Sequence, residues 1–170
     1  AITSEGNIVF GSGDEFVYCA SANDGNVIWN TKLGGSVLSD PLTSEGRVFI
    51  GCGDGKIYCL NSASGEIVWG YQTDGLMRQR PILENGILYA FVRDTYIWYA
   101  IDASTGQLIW RGNANTDESL FVCGDVRPVI ANGKLWCIDA QNTRPAYLSL
   151  DTGELAWTST LEKVSSRGMT

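Results

Sequence analysis

The 170-residue chain contains no histidine. That absence removes Ser-His-Asp and Cys-His catalytic arrangements and every His-ligated metal site, since each depends on an imidazole as base or ligand. Five cysteines are present, Cys19, Cys52, Cys59, Cys123 and Cys137. They are odd in number, none are adjacent and none show C-x-x-C spacing, which argues against a disulfide framework or a zinc site. Cys19 and Cys59 stand in like phrases, Val17-Tyr18-Cys19 and Ile57-Tyr58-Cys59, and read as small apolar fillers of packed strands. No apolar run approaches the roughly 20 residues of a membrane-spanning helix, and no basic segment followed by an apolar stretch opens the chain. Basic residues are scarce, 12 against 19 acidic, for a net charge of -7. Nucleic acids and anionic membrane surfaces are held by concentrated positive charge, so neither is an expected partner.

What the chain has instead is a repeat. Four phrases end in tryptophan: Gly25-Asn-Val-Ile-Trp29, Gly65-Glu-Ile-Val-Trp69, Gly106-Gln-Leu-Ile-Trp110 and Gly153-Glu-Leu-Ala-Trp157. The tryptophans are 40, 41 and 47 residues apart, and a second series, Gly6, Gly46, Gly86 and Gly133, keeps the same rhythm. A period near 40 with short strand-like runs is the length of one four-stranded propeller blade. Residues 43–80 show the grammar. Thr43 to Gly46 is a turn, Arg47 to Cys52 a strand, Gly53-Asp54-Gly55 a hairpin, Lys56 to Leu60 a strand, Ser62 to Gly65 a turn, and Glu66 to Gln72 the outer strand. Pro41, Pro81 and Pro128 each precede a turn glycine by five residues and mark where an inner strand begins, around Arg80 to Leu83 in the second case. Each unit therefore runs inner strand, two middle strands, then an outer strand ending at its tryptophan. No 3.6-residue period is present and no helix is expected.

Ala100-Ile-Asp-Ala-Ser-Thr-Gly106-Gln-Leu-Ile-Trp110 resembles the tryptophan-docking motif, A-x-D-x-x-T-G-x-x-x-W, of the pyrroloquinoline-quinone-type (PQQ-like) repeat propellers. Leu60 to Trp69 and Leu150 to Trp157 are similar, while Ala20 to Trp29 departs, with Asn23-Asp24-Gly25 in place of the usual Ser/Thr-Gly. The resemblance implies that Trp29, Trp69, Trp110 and Trp157 dock on neighbouring blades, with Gly25, Gly65, Gly106 and Gly153 as structural partners. The expected fold is all-β, with about four four-stranded blade units near residues 1–33, 34–74, 75–115 and 116–160. Residues 161–170 would start a further inner strand, within a longer array of seven or eight blades. Members of this family include quinone-dependent dehydrogenases, outer-membrane-assembly lipoproteins and propellers fused to catalytic domains, so the motif specifies architecture and leaves chemistry open.

Residues that look chemical have copies one period away. Gly11-Ser-Gly13 and Gly51-Cys-Gly53-Asp-Gly55 are followed by strands, whereas a phosphate loop needs a helix N-terminus. Glu5, Glu45 and Glu84 sit in equivalent turns, and Asp14 and Asp54 in equivalent hairpins, which favours turn chemistry over paired acid and base. Adjacent cysteines, which the resemblance associates with the quinone site of the dehydrogenases, are missing. The expectation is a non-catalytic scaffold with no cofactor or metal, which meets another protein or another domain of its chain. Alternatives are a small-molecule or glycan sensor at the propeller axis and a fragment of a quinone-dependent dehydrogenase. Ring completion by further blades or a second copy is a further expectation about partners. The resemblance suggests a periplasmic or extracellular setting, although reduced cysteines suit the cytoplasm equally.

Length differences between units fall in the inter-blade loops and the hairpins between middle strands, which share one face of a propeller. That face carries Met77, Arg78, Arg80, Arg93, Tyr96, Phe121 and Arg144, and interfaces are enriched in arginine and aromatics. These seven are the expected partner-binding residues.

Overall fold

Period-2 apolar runs punctuated by residues that accept positive φ produce antiparallel hairpins, and the chain is built from them throughout. The structure, a computed structural model, describes residues 1–92, 94, 95, 97–113, 128–138 and 145–158. Two units are distinguished, Ala1–Arg111 and Gly112–Thr170.

In the first unit, β1 (Ile8–Gly11), β2 (Phe16–Ala20) and β3 (Val27–Lys32) form a three-stranded meander. Beside β1 the chain makes a single bridge, Ile2 to Ile8, in place of a full inner strand. Next come β4 (Leu42–Ser44), β5 (Arg47–Gly51), β6 (Lys56–Asn61) and β7 (Ile67–Gln72), a four-stranded sheet in sequential order. The third sheet repeats it with β8 (Ile82–Glu84), β9 (Ile87–Val92), β10 (Ile97–Asp102) and β11 (Leu108–Asn113). In the second unit, β12 (Val129–Ala131), β13 (Lys134–Ile138), β14 (Pro145–Ser149) and β15 (Leu155–Thr158) again follow that order. The architecture is all-β, a succession of propeller blades, and the described residues contain no helix.

Two strand expectations are corrected. The first outer strand does not stop at its tryptophan: β3 runs on to Lys32, as β7 runs to Gln72 in line with the expected Glu66 to Gln72 strand, because the residues after the indole keep pairing with the start of β2 and β6. The inner strands begin after the proline, at Leu42 and Ile82 rather than at Arg80, since proline has no N–H for the ladder.

The β4–β5, β8–β9 and β12–β13 turns place two successive residues at positive φ: Glu45 and Gly46 at 48° and 72°, Asn85 and Gly86 at 50° and 76°, Asn132 and Gly133 at 53° and 67°. This is the primed geometry whose twist matches the flanking strands. Between sheets of the first unit lie two apolar layers. Val9, Val17, Cys19 and Trp29 of the first sheet meet Val48, Ile50, Tyr58 and Leu60 of the second. Phe49, Ile57 and Cys59 on the other side of the second sheet meet Leu88, Ala90, Tyr99 and Ile101 of the third. The second unit buries Leu135, Cys137, Ala146 and Leu148, and Trp136 packs against Tyr147 at 5.0 Å between ring centroids.

Candidate interaction surface and the blade clasp

The docking motif can be read atom by atom. Asp102 Oδ1 accepts the amides of Ser104 and Thr105 at 2.9 and 2.8 Å, and the Gly106 amide donates back to the Asp102 carbonyl at 2.8 Å. Asn61 does the same with the amides of Ala63 and Ser64. These turns need a left-handed residue, supplied by Gly65 and Gly106, both at φ 75°. The turn then aims a carbonyl at the preceding blade: Trp29 Nε1 donates to the Ser62 carbonyl at 3.0 Å and Trp69 Nε1 to the Ala103 carbonyl at 3.1 Å. The indoles lie on the glycines themselves. A Cβ on Gly65 would meet Trp29 Cε3 at 2.6 Å, and one on Gly106 would meet Trp69 Cδ2 at 2.7 Å. A third contact, Thr31 Oγ1 to the Gly65 carbonyl at 2.6 Å, completes the first clasp. Trp110 packs on Tyr89 with ring centroids 6.0 Å apart. Gly25 and Gly153 take the same conformation, at φ 74° and 71°.

At the opposite end of the first unit, the inter-blade linkers are threaded between hairpins. The linker between β3 and β4 is bonded on both sides, Val37 N–H to the Ser12 carbonyl at 2.8 Å and Gly53 N–H to the Ser36 carbonyl at 2.8 Å. Buried Ser39 accepts the Gly51 amide at 2.8 Å and donates to its carbonyl at 3.0 Å. The linker between β7 and β8 copies this plan. Thr73 Oγ1 donates to the Gly55 carbonyl at 2.7 Å, and the Met77 amide to the Cys52 carbonyl at 3.3 Å.

Met77 was expected on the partner surface and is corrected. It is 1% exposed and belongs to the core between the second and third sheets. Its repeat counterpart, Val37, is equally buried, and the two plug the linkers against Gly51 and Gly11, where a Cβ would fall 2.6 Å from Met77 Cβ and 2.5 Å from Val37 Cγ1. The paired apolar residues one period apart were the available sign. Arg78 and Arg80 are exposed on the same linker. Arg93, Tyr96, Phe121 and Arg144 lie outside the described residues.

Sequence reasoning missed Leu38 and Asp40, exposed at the positions that Arg78 and Arg80 occupy one blade later. It also missed a cluster at this end. The Asp74 amide donates to the Tyr99 hydroxyl at 3.0 Å, that hydroxyl donates to Asp74 Oδ2 at 2.8 Å, and Arg111 Nη2 sits 2.6 Å from the same oxygen. Burial first, then the bond to Asp74, pushes the Tyr99 phenol up to about 12. In the second blade, Tyr58 donates to Asp54 Oδ2 at 2.6 Å. Burial raises the Asp54 carboxyl, but the bonds from Tyr58 and the Lys56 amide outweigh it and hold the group below its ordinary value. Asp14 and Tyr18 repeat the pair at 2.7 Å in the first blade. The hairpin carboxylates are thus engaged by their own blades.

The side chains of Cys19, Cys52, Cys59 and Cys137 are buried, and burial pushes the Cys59 thiol up to about 11, far from a reactive thiolate. No group of metal-ligating side chains occurs among the described residues, and no helix there is long and apolar enough to cross a membrane. A cavity of about 530 Å³ opens between the second and third sheets at the clasp end, lined in part by Glu45, Arg47, Asn85, Asp102 and Ser104.

Antiparallel sheets joined in series, the first clasping the second and the second the third by an indole seated on a left-handed glycine, define a tryptophan-docking propeller of the PQQ-like repeat class. Residues 1–57 and 43–169 match the family model described as outer membrane protein assembly factor BamB, and the chain belongs to that family. Among solved structures it is similar to BamB from Moraxella catarrhalis, at 15% identity and a TM-score of 0.72, covering 89% of this chain and 45% of that one. It also resembles the computationally designed Ika8 protein, at 15% identity and TM-score 0.68, over 92% of this chain and 47% of that one. A europium-containing methanol dehydrogenase matches at 12% identity and TM-score 0.71, over 89% and 39%. These likenesses show the fold, and the chain spans less than half the length of each neighbour. A search of curated protein sequences returned no match.

Proposed function

We propose that the chain is a non-catalytic propeller scaffold whose loop-bearing end meets another protein or another domain, in a periplasmic or extracellular setting. The supporting observation is the contrast between a copied frame and uncopied tips. Val37 and Met77 anchor the two linkers identically at 1% exposure, while the exposed positions beside them change from Leu38 and Asp40 to Arg78 and Arg80. A frame that holds backbone fixed while the presented chemistry varies from blade to blade suits recognition. Membership of a family described as an assembly factor agrees with a role in protein contact. Arg93, Tyr96, Phe121 and Arg144 belong to the same proposed surface by their place in the repeat.

The test is cross-linking in envelope extracts with Arg78, Arg80 and Phe121 changed to Ala. The variant should keep its circular dichroism and lose the cross-linked product. An unchanged product would move the contact to the clasp end. A second reading, docking of a small molecule or glycan, is favoured by the cavity of about 530 Å³, which is within the size range of ligand pockets. Arg47→Ala should then abolish ligand-induced thermal shifts. The dehydrogenase reading has only a fold likeness behind it, since the sequence lacks adjacent cysteines.

A further inference from the structure

Residues copied from blade to blade serve the frame, so uncopied ones at a repeated place carry information. At the clasp end of the second blade stand Thr43, Arg47 and Ser62, and their counterparts in the third are Leu83, Ile87 and Ala103. The ladders fix the correspondence: Thr43 pairs with Val48 as Leu83 does with Leu88, and Ser44 with Arg47 as Glu84 does with Ile87. Three polar side chains are thus exchanged for apolar ones. The cavity of about 530 Å³ opens where the two versions meet, with Glu45 and Arg47 contributed by the second blade and Leu83, Ile87 and Ile109 by the third. Buried Phe49 adds to the apolar lining.

The charges of this lining are unspent. Among the described residues neither Arg47 nor Glu45 enters an ion pair, unlike Lys32 with Glu15 and Arg111 with Asp74. Arg47 is half-buried, and a guanidinium loses hydration there without a counter-charge in return. The Cys59 thiol beside it is held neutral by burial and supplies none. Asp102 is the other carboxylate of the lining, and its Oδ1 already accepts four bonds of 2.6 to 3.0 Å from Ser104 and Thr105. One cation and two carboxylates therefore face a single cavity. A simple anion would satisfy Arg47 and be repelled by Glu45 and Asp102, and a simple cation would leave Arg47 without a partner. A zwitterion answers both signs.

We propose that this cavity binds a free α-amino acid with an apolar side chain. Arg47 takes the carboxylate, whose two oxygens match the planar fork of a guanidinium. Glu45 takes the ammonium, and Leu83, Ile87 and Ile109 cover the side chain. Apolar walls with a few placed charges are the usual composition of a small-molecule site. A neutral sugar has no group that either charge requires, and the lining offers it a single aromatic ring, Phe49, which is 2% exposed. The proposal rests on the small-molecule reading of the cavity, narrows it to one ligand class, and is separate from the loop-bearing end.

Amide NMR titration of the 170-residue chain with L-phenylalanine, phenylpropionate, phenethylamine, glycine and glucose tests the proposal. L-Phenylalanine should bind with a Kd of about 1 mM or tighter, shifting the amides of Glu45, Arg47 and Ile87. Phenylpropionate and phenethylamine, which each lack one charge, and glycine, which lacks the apolar group, should bind at least about tenfold more weakly. Arg47→Gln should weaken L-phenylalanine by at least about tenfold, and Glu45→Gln, at an exposed turn, by about threefold, while Arg78→Ala changes nothing. Circular dichroism reports whether each variant keeps its fold; should Arg47→Gln lose it, the analogue series on the parent chain and Glu45→Gln still decide. Glucose or a singly charged analogue binding as tightly as L-phenylalanine overturns the amino-acid proposal and leaves the small-molecule reading standing. Binding of no probe overturns the proposal and removes the support for that reading as well. L-Phenylalanine binding that survives both Arg47→Gln and Glu45→Gln belongs elsewhere on the chain and likewise overturns it.

Discussion

Replacing Gly65 by alanine adds one methyl group at the point where two blades touch. The backbone sits at φ 75°, where an L side chain costs about 1–2 kcal/mol. The added carbon would lie 2.6 Å from Trp29 Cε3 and 2.8 Å from Thr31 Oγ1, overpacking of the kind that costs about 1–3 kcal/mol. Moving the indole away sacrifices its 3.0 Å bond to the Ser62 carbonyl, worth about 1 kcal/mol. The expected loss is about 4 kcal/mol, a large share of a domain's stability. Gly25→Ala is the control. Its φ is 74° and nothing lies within 4 Å of the new methyl, so only the backbone cost of about 1–2 kcal/mol remains. Urea unfolding followed by circular dichroism, in protein dilute enough to be monomeric, measures both from the midpoint shift at constant slope. In a Trp29→Ala background the Gly65→Ala cost should shrink toward that of Gly25→Ala, because the clash partner is gone. Equal costs at Gly65 and Gly25 in the parent chain would refute the clasp.

Other outcomes follow from the same geometry. Trp29→Ala, at 8% exposure, should cost about 3–5 kcal/mol in the same assay. Glu15 stands at φ 77° where the next blade has Gly55 at 82°. Glu15→Gly should therefore raise the urea midpoint, relieving about 1–2 kcal/mol of strain against the exposed ion pair to Lys32 at 3.3 Å, worth under about 1 kcal/mol. Bonds from Ser104 and Thr105 hold Asp102 at about 2, below its ordinary 3.8. A depressed carboxyl stabilises the fold above its unfolded value and ceases to as pH falls through its folded one, so acid titration should show stability falling from about pH 4 to pH 2, less steeply in Asp102→Asn. Tyr99 is raised from 10.0 to about 12. Its contribution is complete below pH 10 and lost toward pH 12, and tyrosinate absorbance should report that loss together with unfolding.

The blade grammar was legible in the residues because turns and strands are local. Asp54-Gly55, Asn85-Gly86 and Gly65 announce their backbone conformations through side-chain chemistry and the cost of a Cβ at positive φ. The period follows from these signals alone. The end of β3 was less legible, because the strand continues past Trp29 by pairing with residues more than ten positions away. Met77 and Arg78 are neighbours in one linker, yet one is core and the other surface; the hydrogen bonds that turn the linker decide which. The joining of Asp74, Tyr99 and Arg111 likewise depends on a linker and two strands meeting in space. The plainest case is Ile8 and Val48, two β-branched residues at the same repeat position, 43% and 0% exposed. Nothing in either side chain distinguishes them, since burial is a property of the neighbouring sheet, and only packing puts a sheet over one and leaves the other open.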